Sequence, residues 1–360
     1  MRLKTNIFRL IIILIAGTSL NSFSQGCMGG GKEGVNLKGF IQPQYNYFLN
    51  GKDDDGNSLD ENNFTFNRAR LGVLGEIPYD IEYYFFVEMS AFKSQAATPH
   101  LLDAFVTYTR FAKWAKISLG QFKSSFGIEQ STGCSELYTV NRSEVVNQLA
   151  GPQRDLGMVI AGGHDTLLVK YSLGIMNGAG MNTTDNNNNK EIVGRLVFNP
   201  HKFVKVGGSF KMEKTNPTDL TQDLNDIQRF GGELEVKYNN LTFQTEYITG
   251  NDKLYSASRV PVYGGCGGIV GYNTLQEGTY GKSGYAVMAA FKTKWNLEPV
   301  VKYDSWDASS ETDNDEINYL TIGLNYFVND YSRVQINYVN VSEHTPIDND
   351  MLMIQLQAKF

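Results

Sequence analysis

Five basic side chains in the first half of the chain have the chemistry needed to bind small oxyanions. A guanidinium group donates two parallel hydrogen bonds to adjacent phosphate or carboxylate oxygens, and an ammonium group adds a compact positive charge. If the fold brings these side chains together, they would raise the local concentration of small anions such as phosphate. The five candidate residues are Arg68, Arg70, Lys123, Arg142 and Arg154.

A structural role for two of these arginines is the alternative. Arg142 lies two residues before Glu144, and Arg154 directly precedes Asp155. Each arginine could form an ion pair with that neighbour and only hold the intervening segment in place. The sequence leaves both roles open.

Residues with the spacing of a catalytic or metal site are not recognisable. The four histidines are scattered, and no Ser and His pair is predicted on adjacent segments. The acidic stretch 53–61 has several oxygen ligands, but it lacks the glycine placement and final glutamate of an EF-hand. A solvated acidic loop is therefore preferred over a calcium site. We expect no enzyme activity, no cofactor and no bound metal.

The first 24 residues have the features of an export signal. Arg2, Lys4 and Arg9 precede the apolar run 10–16, which is too short to span a bilayer, and Ser22-Phe-Ser24 offers a cleavage site. Their removal deletes three positive charges and no negative ones, so the net charge changes from -6 to -9. A chain this acidic is not expected to bind nucleic acid. We predict a signal peptide over 1–24, an N-terminal extension over 25–36 and a transmembrane domain over 37–360.

The three cysteines do not reveal their pairing. Cys27 follows the cleavage site, but Ser24-Gln25-Gly26 is a poor lipobox. Cys134 and Cys266 lie in two predicted loops, where a disulfide is possible in an exported protein. Free thiols are the alternative, because spacing does not determine connectivity.

Alternating hydrophobicity predicts that the chain consists of antiparallel strands. In the last ten residues, apolar Leu352, Ile354 and Leu356 alternate with polar residues, as in a strand with one apolar face. Sixteen segments behave this way: 37–48, 63–76, 81–90, 101–110, 116–125, 156–163, 166–176, 191–199, 203–213, 229–238, 241–250, 284–294, 297–306, 317–328, 332–342 and 351–360.

The connections between these segments alternate in length. Short turns rich in Gly, Pro and Asn alternate with eight longer polar loops. Short turns at one rim and long loops at the other, with an even strand count, are typical of an all-β transmembrane antiparallel barrel of the outer membrane. The predicted long loops are 49–62, 91–100, 126–155, 177–190, 214–228, 251–283, 307–316 and 343–350.

The apolar side of each segment predicts which residues face lipid. Ala69, Leu71 and Val73 are predicted to face outward, which places Arg68 and Arg70 inside. Segment 81–90 follows the same rule, with Phe85 outside and Phe86 inside. Segment 116–125 breaks it, because the alternation sets Gln121 and Lys123 towards lipid. A β-bulge near Gly120 would redirect them.

Four short blocks follow one another along the chain: Phe66-Asn-Arg68-Ala-Arg70-Leu-Gly72, Gly120-Gln-Phe-Lys-Ser-Ser-Phe-Gly127, Asn141-Arg142-Ser143 and Gly151-Pro-Gln-Arg154-Asp-Leu-Gly157. In this order they resemble the phosphate-selective porins O and P. The resemblance implies a homotrimer of sixteen-stranded barrels in a bacterial outer membrane, with the long third loop folded into the lumen. It also implies that basic residues at this constriction bind phosphate or polyphosphate.

The predicted barrel interior carries both signs of charge. Inward lysines and arginines such as Lys211 and Lys302 are opposed by carboxylates such as Glu246 and Asp304. A mixed interior favours a diffusion porin for small hydrophilic solutes, with modest anion preference at a loop-3 constriction. The alternative is a barrel whose surface loops bind or adhere, with transport incidental, since loop 251–283 contains four tyrosines.

The expected partners are those of an outer-membrane barrel. They include small anions such as phosphate, outer-membrane lipid, and lipopolysaccharide, whose phosphates divalent ions could bridge to the acidic loop 53–61. The terminal Phe360 is expected to engage the barrel-assembly machinery.

Overall fold

Sixteen antiparallel strands form a closed barrel in the computed structural model of the chain. The structure describes residues 34–52, 56–90, 100–111, 114–163, 167–263 and 269–360. The predicted signal peptide, Cys27, Asp53 to Asp55 and Cys266 lie outside these residues. Within the described ranges, no helix has both the length and the apolar character needed to cross a membrane.

The strands closely follow the predicted alternation, and the sixteen-stranded barrel is confirmed. Each strand pairs with its neighbours in antiparallel register, and the last strand pairs with the first to close the barrel. The barrel strands are β1 (Val35–Leu49), β2 (Glu61–Ile77), β3 (Ile81–Glu88), β4 (His100–Phe111), β5 (Ala115–Lys123), β6 (Arg154–Gly162), β7 (Val169–Met176), β8 (Glu191–His201), β9 (Val204–Thr215), β10 (Asn225–Tyr238), β11 (Leu241–Leu254), β14 (Gly278–Phe291), β15 (Leu297–Asp307), β16 (Ile317–Phe327), β17 (Ser332–Glu343) and β18 (Asp350–Lys359).

The predicted long loop 251–283 contains a two-stranded hairpin that is not part of the barrel sheet, and its ends belong to the neighbouring barrel strands. β12 (Ser258–Tyr263) pairs with β13 (Ile269–Leu275) as a separate two-stranded sheet between β11 and β14. The guanidinium of Arg259 lies 4.4 Å from the centre of the Tyr272 ring across the hairpin. This cation–π contact stabilises the pairing.

The C-terminal residue completes the barrel. The backbone N–H and C=O groups of Phe360 and Gly39 exchange two hydrogen bonds, both of 2.9 Å. A Cβ at position 39 would lie 2.6 Å from the Phe360 ring. Glycine is therefore required for this close approach of β1 and the end of β18.

The two faces of the strands are as the alternation predicts. Phe85 is 45% exposed on the outer face, whereas its neighbour Phe86 is 4% exposed. On β2, Arg68 and Arg70 are buried, whereas Leu71 is exposed on the outer face. An exposed apolar outer face is what a strand in contact with hydrocarbon requires.

In β5, Gln121 is turned away from lipid, but not by the β-bulge that the sequence suggested near Gly120. Gln121 is buried and donates to the carbonyls of Leu101 and Leu102 at 3.0 and 2.9 Å, so it does not face lipid. Pairing with β4 and β6 stays in register through Gly120, so the suggested bulge is wrong. Instead, Gly120 has φ of +137°, a conformation that L side chains rarely adopt.

A charge on the outer face of β16 is expected to destabilise the barrel. Ile322 lies mid-strand and is exposed, so Ile322→Lys should lower the free energy of unfolding by about 2–4 kcal/mol. Val328→Lys, at an exposed position in the following turn, should cost no more than about 1 kcal/mol. Urea unfolding in lipid vesicles measures both. Equal costs would contradict a membrane-embedded outer face.

Candidate functional site

The connection between β5 and β6, residues 124–153 and here named segment L3, contributes half of the largest buried apolar cluster. It contains two short helices, Ile128–Ser131 and Glu144–Leu149. The predicted loop 126–155 lies two residues too late, because β5 ends at Lys123 and β6 begins at Arg154. Five apolar residues of L3 are buried and form one cluster with residues of β5, β7, β8, β11 and β14. These five are Phe126, Val145, Val146, Leu149 and Ala150.

Hydrogen bonds attach the middle of L3 to a different group of strands. The N–H of Val140 donates to Asn337 Oδ1 at 2.7 Å, and Asn325 Nδ2 donates to the Tyr138 carbonyl at 2.9 Å. The Ser135 carbonyl accepts from Arg333 at 2.9 Å. Asn325 is on β16, and Asn337 and Arg333 are on β17, which lies eight positions from β7 in the ring of sixteen strands. L3 therefore contacts strands on opposite sides of the barrel.

Two of the predicted basic residues form buried ion pairs with the barrel wall. Arg70 Nε lies 2.7 Å from Glu88 Oε2 on β3. Arg154 donates from Nε and Nη2 to the two oxygens of Asp103 on β4, at 2.9 and 3.2 Å. The alternative pairing of Arg154 with Asp155 is wrong, because Asp103 offers a bidentate geometry across the sheet.

Arg142 is held by L3 itself. Its guanidinium donates to the carbonyls of Glu129 and Thr132 at 3.0 and 2.7 Å, and to Cys134 Sγ at 3.4 Å. The suggested pair with Glu144 is also wrong. The side chain of Glu144 instead accepts hydrogen bonds from Asn147 and Gln148 within its own helix.

Cys134 is the residue on which the basic cluster converges. Its buried thiol is not in a disulfide, and Arg70 also donates to Sγ, at 3.1 Å. Burial alone would raise the pKa of this thiol, but Arg142, Arg70 and Arg68 lower it well below its usual range. Nothing in the sequence pattern distinguished Cys134 as a partner for arginine.

The remaining two basic residues complete the cluster. Arg68 donates to Gln42 Oε1 at 2.9 Å and to the Val140 carbonyl at 3.3 Å. Lys123 donates to the Thr132 carbonyl at 2.9 Å, the same oxygen that accepts from Arg142. The structure thus brings all five predicted residues into one region around L3, with their polar groups directed at protein acceptors.

Carboxylates lie against the other parts of L3. Glu246 on β11 accepts from the Glu129 N–H at 3.1 Å, and Asp304 on β15 accepts from the Glu144 N–H at 2.8 Å. Lys302 lies 3.4 Å from Glu129. Carboxyl oxygens at these two N–H groups satisfy donors that have no partner within the short helices, because both N–H groups lie in a first helical turn. Within the described residues, no group of three or more metal-ligating side chains is present.

A family model described as phosphate-selective porin O and P matches residues 35–224 and 208–360 of the chain. None of the curated proteins matches. Among solved structures, the anion-selective porin from Comamonas acidovorans has a TM-score of 0.67 and 11% identity, covering 91% of this chain and all of its own.

Two further outer-membrane proteins have similar folds. The channel DcaP of Acinetobacter baumannii has a TM-score of 0.68 at 14% identity, covering 92% of this chain and 99% of its own. OmpT of Vibrio cholerae, solved in a trimer form, has a TM-score of 0.60 at 10% identity, with coverage of 91% and 99%. At identities this low, the similarity to these structures concerns the fold alone.

Proposed function

The chain belongs to the phosphate-selective porin O and P family of the bacterial outer membrane, and we propose that it is a diffusion porin with modest anion preference. The solutes that it passes are small and hydrophilic. The observation that supports this function best is the convergence of five cationic side chains on L3. The proteins of this family and fold are channels and not enzymes.

L3 is the proposed constriction of this pore. Its apolar cluster is attached to β7 and β8, and its polar contacts reach β16 and β17. A sixteen-stranded barrel without such a segment would enclose a wide aqueous channel. A segment fixed at both walls would restrict passage to small solutes.

The charges around L3 explain why the proposed anion preference is modest. Two of the five cations are neutralised by Glu88 and Asp103, which leaves a surplus of positive charge on this side. Elsewhere the barrel interior carries both signs of charge in close pairs, such as Arg195 with Glu233 and Lys282 with Asp252. The basic cluster therefore acts on passing anions through its field, since its donors are already bonded to protein acceptors.

A homotrimer is proposed as the functional assembly. The family resemblance implies it, and one structural relative was solved in a trimer form. Contacts with lipid, lipopolysaccharide and the barrel-assembly machinery are proposed on the same basis. Chemical cross-linking in native outer membranes tests the assembly. Recovery of the monomer alone after cross-linking would contradict a trimer.

Loss of the Arg142 charge is expected to shift selectivity towards cations. Arg142 bonds to two backbone carbonyls and to Cys134 Sγ and to no carboxylate, so Arg142→Gln removes one positive charge and leaves no carboxylate unpaired. The reversal potential across a potassium chloride gradient in a planar bilayer measures the shift. The preference should fall without a large change in conductance, because one charge is removed and the backbone path of L3 is kept.

A charge-neutral variant provides the control for this measurement. Replacing Arg154 by Gln and Asp103 by Asn together removes one charge of each sign, so the reversal potential should stay unchanged. A folded variant lacking Arg68, Arg70, Arg142 and Arg154 that keeps the wild-type reversal potential would refute the proposed role of the cluster.

A further inference from the structure

A cavity of about 450 Å³ lies between L3, the β12–β13 hairpin and the loop-side ends of several strands. The strands are β9, β10, β11, β14, β15 and β16. Its volume falls within the roughly 300–1,000 Å³ typical of small-molecule sites. The cavity is separate from the basic cluster around Cys134, with which it shares no lining residue.

The hairpin is docked on L3 and forms one wall of this cavity. The side-chain amide of Gln148 donates to the Tyr263 carbonyl at 2.9 Å and accepts from the Tyr263 N–H at 3.3 Å. The Tyr263 ring lies against Gly151, where a Cβ would approach it to 2.5 Å. These contacts fix the Tyr263 ring in the wall of the cavity, because both its backbone and its ring are held.

The lining carries equal numbers of positive and negative side chains. The positive residues are Lys211, Arg229, Arg259 and Lys282. The negative residues are Glu144, Glu213, Asp252 and Asp315.

These charges also pair closely within the cavity wall. Asp252 lies 2.5 Å from Arg229 and 2.6 Å from Lys282. Lys211 lies 3.1 Å from Glu213. A lining without net charge gives no electrostatic advantage to an anion or a cation. Its paired charges still offer strong donors and acceptors to neutral hydroxyl groups.

Aromatic side chains supply the second feature of the lining. Tyr280 on β14, Trp306 on β15 and Tyr319 on β16 all contribute to the wall. Each presents an apolar ring together with a polar group. Amide and hydroxyl groups of Asn216, Asn273 and Thr312 complete it.

We propose that this cavity binds a neutral polyhydroxylated solute with apolar ring faces, namely a short oligosaccharide. Sugar ring faces pack on aromatic rings, while their hydroxyl groups bond to the paired charges and amides. This inference names a class of solute for the proposed pore. It rests on the proposed porin function, because the bound sugar must lie on the path of the current.

Two readouts test binding and passage separately. Maltotriose, cellotriose and xylotriose are titrated against the pore in a planar bilayer, with polyethylene glycol of matched size as a control. At least one trisaccharide should reduce the single-channel current with saturation, whereas polyethylene glycol should not saturate. In parallel, a variant with Trp114→Phe and Trp295→Phe leaves Trp306 as the only tryptophan, whose fluorescence should change with the same saturation curve.

A pair of matched substitutions locates the site. Trp306→Ala should weaken the apparent affinity about tenfold, because it removes one aromatic contact. Trp295→Ala makes the same change at an exposed turn position outside the cavity and should leave the affinity unchanged. Trp306→Phe keeps a ring and should retain most of the affinity, which separates lost stacking from lost folding.

The outcomes separate the two proposals. Conductance with neither saturable block nor a fluorescence change for any trisaccharide overturns the oligosaccharide site and leaves the porin function standing. A fluorescence change from a folded barrel without conductance supports the site and refutes the porin function. Displacement of bound sugar by inorganic phosphate would overturn the inference, because a charge-balanced lining should not favour an anion.

Discussion

Replacing Phe126 by alanine is expected to increase the conductance and current noise of the pore. Phe126 is 0% exposed and lies in the apolar cluster that attaches L3 to the barrel, with its ring against Gly231 of β10. A buried Phe→Ala change costs about 3–5 kcal/mol of packing. Because this loss falls on the attachment of L3 and spares the strand ladder, the barrel should still fold while the proposed constriction at L3 widens.

Single-channel recording measures this effect directly. Phe230→Ala serves as the control, since Phe230 is the neighbour of Gly231 on the same strand but is 45% exposed on the outer face. It should leave both the current amplitude and the noise unchanged. If Phe126→Ala gave the wild-type amplitude and noise from a folded barrel, L3 would not be the element that limits the current.

Replacing Arg154 by glutamine is expected to be strongly destabilising. Arg154 is 5% exposed and is the bidentate partner of Asp103, which is itself 7% exposed. Removing one partner of a buried pair leaves an uncompensated charge and costs about 3–5 kcal/mol. The free energy of unfolding in urea, measured in lipid vesicles, should fall by that amount.

Two further variants serve as controls for the Arg154→Gln measurement. Adding Asp103→Asn to Arg154→Gln should recover most of the loss, because no unpaired charge remains. Arg110→Gln makes the same substitution at an exposed pair, where Arg110 lies 3.7 Å from Asp80, and should cost less than about 1 kcal/mol. If Arg154→Gln were as mild as Arg110→Gln, Arg154 would be better described as an accessible anion ligand than as an anchor.

These two experiments concern L3 and the strand β6 that follows it. Phe126 attaches the apolar part of L3 by packing, whereas Arg154 at the start of β6 is held by its ion pair with Asp103. A weaker apolar attachment is expected to change the pore width, and a broken ion pair is expected to change the stability. Together they separate the structural role of the basic cluster from its proposed effect on anions.

The local alternation of side chains was sufficient to predict the sixteen barrel strands, although it missed the β12–β13 hairpin. A strand presents successive residues to opposite faces, so Phe85 and Phe86 revealed their environments from the sequence alone. The same rule placed Arg68 and Arg70 inside the barrel. It failed at Gln121, because the positive φ of Gly120 changes the direction of the chain without changing the register.

Only the tertiary structure decided the partners of the interior charges. Arg154 is adjacent to Asp155 in the chain but pairs with Asp103, 51 residues away, and Arg70 and Arg142 meet at Cys134. These contacts depend on the path of L3 and on barrel closure, which bring together residues that are distant in sequence. Strand periodicity is a local property that the sequence determines, whereas charge pairing across a closed barrel depends on where the whole chain lies.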